Sequence, residues 1–300
     1  MRQVIEWLNA LFSTVLAVAA FILIQLGSIC FFKLIGVDSS LLRGSFTVFY
    51  SVLVVFFFLI FIRLRQRKCE DLVKTTHPDL FSVLSSVVIG FGLLGIVTIY
   101  IDAAYFIADY FKPVEEGLNE YTTRIDRFSG VDAASVPYWD SIFDFIGTVL
   151  IVPLAEELVF RGVIFGELVR KIPPVLAAVF SSLIFGLLHG VSIHIGYAVL
   201  CGFILALVYY FSGSIWVSYM VHAVFNLVGS AFFTLLESGI LGDYSNTLDT
   251  VALHTSVFEV VCIIPSIAAL ILLYKMGKLD DSNVSGLWSE LKLRKEAVCE

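Results

Sequence analysis

Apolar runs of membrane-crossing length alternate with short polar stretches along this chain. Residues 7–32, 44–62 and 80–101 contain no Asp, Glu, Lys or Arg. A bilayer core of about 30 Å asks for roughly 20 such residues per helix, so these predict three spans. The first is too long, and lacks the small-residue cleavage site, for a signal peptide. A fourth apolar segment covers 141–166. Pro173 and Pro174 then punctuate the chain and are placed to open a fifth helix ending near Gly190. Residues 190–236 again contain no Asp, Glu, Lys or Arg. They are too many for one span, and "SGS" at Ser212–Ser214 is the natural turn between a sixth and a seventh. An eighth covers roughly Val257–Tyr274. The segment 275–300 reads as a polar tail and 112–140 as a solvated acidic loop. No helix is interrupted mid-span in this reading, and the halves show no internal repeat.

Composition agrees with the pattern. The chain of 300 residues is 59% hydrophobic and only 15% charged, with a mean hydropathy of +0.93. That places it among membrane proteins, where soluble domains carry about a quarter charged residues. The net charge of −7 argues against nucleic acid as a partner. Cys30, Cys69, Cys201, Cys262 and Cys299 show no paired spacing, so a disulfide framework is not expected. The final "AVCE" leaves Cys299 too few following residues for a prenylation signal.

Basic residues mark one side of the membrane: "RLRQRK" (Arg63–Lys68), Lys74, Arg170–Lys171, Lys275 and Lys278. With eight spans these loops and both termini share that side, which the positive-inside rule makes cytoplasmic. "NVS" at Asn283–Ser285 then lies in the cytoplasm, and its glycosylation match is chance. The expected fold is all-α: one polytopic membrane domain over 1–300, a bundle of about eight helices.

Charges inside such a chain stand out, because each costs about 2.5–3.5 kcal/mol at mid-bilayer. "LAEELVFRG" (Leu154–Gly162) carries three. Glu157 and Arg161 are four apart and stack on one helical face, where they can pair. Glu156 lies about 100° round the helix and needs a partner from elsewhere. "FGLLH" puts Phe185 and His189 four apart at the end of the fifth span. "HAVFN" puts His222 and Asn226 four apart in the seventh. His194 ranks below these, and His77 and His254 fall in loops without a signal.

A carboxylate, two imidazoles and a carboxamide suffice to hydrolyse an amide. A carboxylate held away from water is a stronger base than one in solution. Imidazole and carboxamide N–H groups can stabilise an oxyanion. Glu156, His189 and His222 with a water also form a common zinc-ligand set, although no HExxH motif favours it. The residues fit either chemistry, and a divalent metal such as zinc is the one cofactor they would take. They also fit two non-hydrolytic readings: a proton-coupled transporter, or a non-catalytic scaffold whose cluster only holds helices together.

"EELVFR", "FGLLH" and "HAVFN" resemble the EExxxR, FxxxH and HxxxN motifs of the CPBP family, the CAAX-protease and bacteriocin-processing or Abi family. The resemblance covers roughly residues 140–235. It implies an eight-helix bundle with a catalytic cavity inside the bilayer, and an intramembrane endopeptidase acting on a membrane-associated peptide or protein in the lipid bilayer. Glu156 would be the activating base and His189 its partner on the water. His222 and Asn226 would form the oxyanion side, with Glu157, Arg161 and Phe185 in support. The family contains metalloprotease and glutamate-protease assignments, and bacteriocin-immunity members. A prenylated C-terminus is its eukaryotic substrate precedent; the short loops suit a bacterial cell membrane, where that substrate is not expected.

Depth sets a geometric test. At about 1.5 Å per residue, Glu156 lies about 15 Å from Gly166 and His222 about 12 Å from Ser214, but His189 about 22 Å from Pro174. A tilted fifth helix, or one starting below the membrane surface, would close that gap.

Overall fold

The computed structural model describes residues 2–67, 72–129, 136–190, 192–237 and 247–277. Lys68, Cys69, Lys278, the "NVS" site, Cys299 and most of the expected polar tail lie outside them. Ten helices follow in order among the described residues: α1 (Arg2–Leu34), α2 (Arg43–Gln66), α3 (Leu80–Ala108), α4 (Lys112–Ser129), α5 (138–169), α6 (Pro174–Leu187), α7 (Ser192–Ser212), α8 (215–237), α9 (Leu248–Val261) and α10 (Ile263–Gly277). The protein is an all-α polytopic membrane protein. Five helices are long and apolar enough to cross a bilayer, and the bent α9–α10 pair makes a possible sixth span. The described helices do not confirm the count of eight: α5, interrupted by π-turns, and α6, about 21 Å long with 14 residues, fall outside this set.

Helix α5 is the centre of the bundle. Every residue from Leu158 to Phe165 is buried, against α1 (Ala17, Phe21), α2 (Val54, Phe58, Ile62) and α6 (Ala177, Ala178, Phe185). Seven of these eight residues are apolar, which suits a helix enclosed on all sides; the exception is Arg161. α2 runs parallel to it and is fastened at both ends. The Asp140 carboxylate accepts from the backbone N–H groups of Gly44 and Ser45, each at 2.8 Å, and so caps α2. At the other end Arg65 grips Glu167 through Nε and Nη2 at 2.6 and 3.3 Å.

The basic segments gather at one end, as the loop charges predict. Lys171 pairs with Glu6 of α1 at 2.9 Å. Lys74 N–H donates to the Tyr209 hydroxyl at 2.9 Å, and Lys74 O accepts from Ile215 N–H at 3.0 Å. Exposed Trp7, Trp216 and Tyr274 belong to this end, and Tyr105, Tyr110, Tyr138 and Trp139 to the other. Two aromatic girdles are what a membrane-crossing bundle places at its interfaces.

Three expectations are corrected. The stretch 112–140 is no plain solvated loop: α4 buries Leu118 against Ala104 of α3 and Ile193 of α7. His254, read as a loop residue, lies on α9. The last span is not continuous, since α9 and α10 meet at a 41° bend. Pro265 explains the break. It sits at the third position of α10, and its ring would clash with the carbonyl of Val261, four residues earlier.

The depth question also resolves. Leu72 packs against Gly166, and Thr75 bridges to Ser214, so these two reference points share one level. α5 runs on to Val169, and the turn to Pro174 lies beyond that level. α6 therefore starts lower than the α7–α8 turn, which brings His189 back towards the level of the other polar groups.

Candidate active site

Three helices bring the polar residues together, and two of them depart from α-helical hydrogen bonding to do so. α5 has π-turns at Gly147–Ile151 and Leu158–Phe165, and α8 has one at Leu227–Ala231. Such turns concentrate at functional sites because they re-aim the side chains around them. α6 and α7 approach closely beside them. A Cβ on Gly202 of α7 would lie 3.2 Å from the Ser182 Cα of α6. Gly190 follows α6 at φ +94°, a conformation that suits glycine and turns the chain into α7.

Glu157 and Arg161 form the anchor, with side chains 0% and 1% exposed. Arg161 Nη1 stands 2.9 Å from Glu157 Oε1, an ion pair by distance with its N–H off the ideal hydrogen-bond line. The guanidinium also donates from Nη2 to Gly202 O at 3.1 Å and lies 4.8 Å from the Phe185 ring centroid. One cation thus joins α5, α6 and α7. A buried charge is tolerated when paired and hydrogen-bonded in this way.

His222 of α8 completes the cluster. Its Nδ1 is 3.0 Å from Glu157 Oε1, and its Nε2 is 3.5 Å from Glu156 Oε2. An ionised carboxylate only accepts hydrogen bonds, so the Nδ1–H donates to Glu157 and fixes the ring. Nε2 is left facing Glu156, whose side chain is 12% exposed. The partner that Glu156 needs is therefore the imidazole of another helix.

His189 stands one ring away. Its centroid is 4.4 Å from that of Phe185, and Phe185 is 6.1 Å from His222. His189 Nδ1 donates to Phe185 O at 2.7 Å, which leaves Nε2 as the acceptor in the neutral ring. Beyond it His194 lies at 4.9 Å, stacked on Tyr197 at 4.7 Å, with Tyr121 of α4 alongside. His194, ranked low by sequence, is thus in the chain of rings, and Tyr197 and Tyr121 carried no sequence signal. Asn226 Nδ2 donates to Thr148 O of α5 at 3.0 Å. The structure brings Glu156, Glu157, Arg161 and His222 into one cluster, holds His189 across Phe185, and binds Asn226 to the α5 backbone.

The metal set does not assemble. Among the described residues no three His, Cys, Asp or Glu side chains are grouped to hold one ion. Both imidazoles pack on the Phe185 ring, at 4.4 Å for His189 and 6.1 Å for His222 between centroids.

Comparison with known proteins bears on this same segment. Residues 138–228 match a family described as type II CAAX prenyl endopeptidase Rce1-like. The polar segment is similar to that family. The match spans α5 to the start of the α8 π-turn, and so includes every motif residue named above. Among curated proteins, the chain is 29% identical over 139 residues to a Bacillus subtilis protein named "Putative membrane peptidase YdiL", covering 44% of this chain and 55% of that one. It is 37% identical over 90 residues to the UPF0177 protein YxdF of Lactococcus lactis, covering 30% and 49%. The chain spans about half the length of the curated relatives it matches. No solved structure matches it.

Proposed function

We propose that this protein is an intramembrane endopeptidase that hydrolyses a peptide bond of a membrane-associated substrate. The observation that carries the reading is His222 held between two glutamates, Nδ1 on Glu157 and Nε2 facing Glu156. An anchored imidazole beside a second, partly exposed carboxylate is a machine for moving one proton. A purely structural cluster would have no use for the second carboxylate.

In the reaction, Glu156 takes a proton from water as the water oxygen attacks the scissile carbonyl carbon. His189, with Nδ1 bound to its own helix, accepts from that water through Nε2 and orients it. The carbonyl oxygen becomes an oxyanion, stabilised by an Asn226 N–H and by His222, which as the imidazolium donates Nε2–H while keeping Nδ1–H on Glu157. The C–N bond then breaks, and the proton held by Glu156 passes to the departing amine. Apolar packing around the site keeps bulk water out, which strengthens each of these interactions. Side-chain groups and water complete the cycle.

The test is cleavage, in detergent, of an internally quenched peptide with a farnesylated C-terminal CaaX sequence, beside the same peptide carrying an apolar helix instead. General-base catalysis is worth about 10²–10⁴-fold. Glu156→Gln should lose at least about a hundredfold in kcat while the protein still melts as the wild type. Cleavage at the wild-type rate by that variant would remove the base assignment. Glu156-dependent solute flux in liposomes without cleavage would favour the transporter reading.

A further inference from the structure

Pro153 has no part in the chemistry above, yet the hydrogen bonds around it point to a role. In the π-turn Gly147–Ile151 the bond is shifted by one residue: Val152 N–H donates to Gly147 O, five residues back. Continued in that register, the next N–H would belong to residue 153 and would take Thr148 O. Proline has no N–H to give. The carbonyl is instead taken by Asn226 of α8, whose Nδ2 donates to it at 3.0 Å. A freed carbonyl inside apolar surroundings must find a donor, and in a membrane bundle a neighbouring helix supplies it.

We propose that Pro153 is a positioning residue for Asn226: by withholding its own N–H it reserves Thr148 O as the peg on which the carboxamide is hung. This rests on the hydrolase reading for its consequence in the reaction. A carboxamide is planar and has two N–H groups. Spending one on a fixed backbone oxygen sets the plane and leaves the other available beside His222, four residues earlier on the same face of α8. Without the peg the side chain rotates about χ2, and its remaining donor loses its aim. Pre-aimed donors are what makes an oxyanion site effective.

The test is Pro153→Ala, which returns an N–H to the helix, together with its ester analogue carrying an α-hydroxy acid at 153, which removes it again. In protein labelled with [15N]asparagine and held in nanodiscs, the hydrogen-bonded side-chain proton of Asn226 should move upfield in Pro153→Ala and return in the ester. With the quenched peptides, kcat should fall about tenfold or more with KM within about twofold, again restored by the ester. The melting midpoint should not fall, because alanine suits a helix interior better than proline. Unmoved Asn226 resonances in Pro153→Ala would overturn the proposal. So would a loss of kcat that the ester fails to restore, which would assign the effect to the shape of the ring. If Pro153→Ala cleaves like the wild type while Glu156→Gln does not, the bond does not aim the reaction and the proposal is also overturned. Should Glu156→Gln cleave normally, the hydrolase reading falls, and the Asn226 resonance still decides whether Pro153 reserves the carbonyl.

Discussion

Glu157 on α5 and Glu259 on α9 are both carboxylates sealed among apolar helices, 0% and 6% exposed, but their surroundings differ. Glu157 meets a guanidinium and an imidazole, and a second carboxylate faces the other side of that imidazole. Glu259 packs beside Gly95 near the Pro265 break and accepts from the Thr98 hydroxyl at 3.1 Å. Burial alone therefore does not make a site. What separates the two places is the presence of charged and titratable partners from several helices, linked so that one proton can change hands.

Substitutions can press on that difference. The largest effect is expected from Glu157→Ala. It strands Arg161 in the core and unfixes His222, and removing one partner of a buried pair costs about 3–5 kcal/mol. The melting midpoint in detergent should drop by many degrees; a loss under about 1 kcal/mol would contradict the anchor role. Next is Arg161→Lys, which keeps the charge but loses the donor to Gly202 O and the guanidinium's contact with the Phe185 ring. About 1–3 kcal/mol is expected by the same melt. Glu259→Gln keeps shape and the Thr98 bond, so stability should stay within about 1 kcal/mol and peptide cleavage should be unchanged. A collapse of activity there would erase the contrast between the two sites.

A solvent-exposed carboxylate sets the lower bound. Asp79 caps α3 by accepting from Ser82 N–H at 2.8 Å. Hydrogen bonds from the Ser82 side chain and backbone hold its carboxyl below the usual aspartate range. A lowered value in the folded state means the contribution is present above about pH 4 and lost as the pH falls through and below that. Asp79→Ala should thus cost about 0.5–1 kcal/mol at neutral pH and less in acid.

Much of this was legible in the sequence, for stated reasons. The Glu157–Arg161 pair follows from i, i+4 spacing, and the clustering of basic loops at one end from their alternation with apolar runs. Pro174 opens α6 as its position requires. What could not be read was which helix faces which. That Glu156 meets His222, and that both histidines pack on Phe185, depends on packing rather than spacing. The amphipathic α4 was hidden by its charge, because a helix needs only Val114, Leu118 and Tyr121 to hold it down. One signal was passed over: Pro265, inside the run read as a continuous last span, marks where that span bends.

One measurement bears most directly on the account: kcat of Glu156→Gln and Glu259→Gln in the same peptide-cleavage assay, each checked by its melting midpoint. The account predicts a loss of at least about a hundredfold for Glu156→Gln and none for Glu259→Gln, with both proteins folded. Equal activity in the two variants would contradict it.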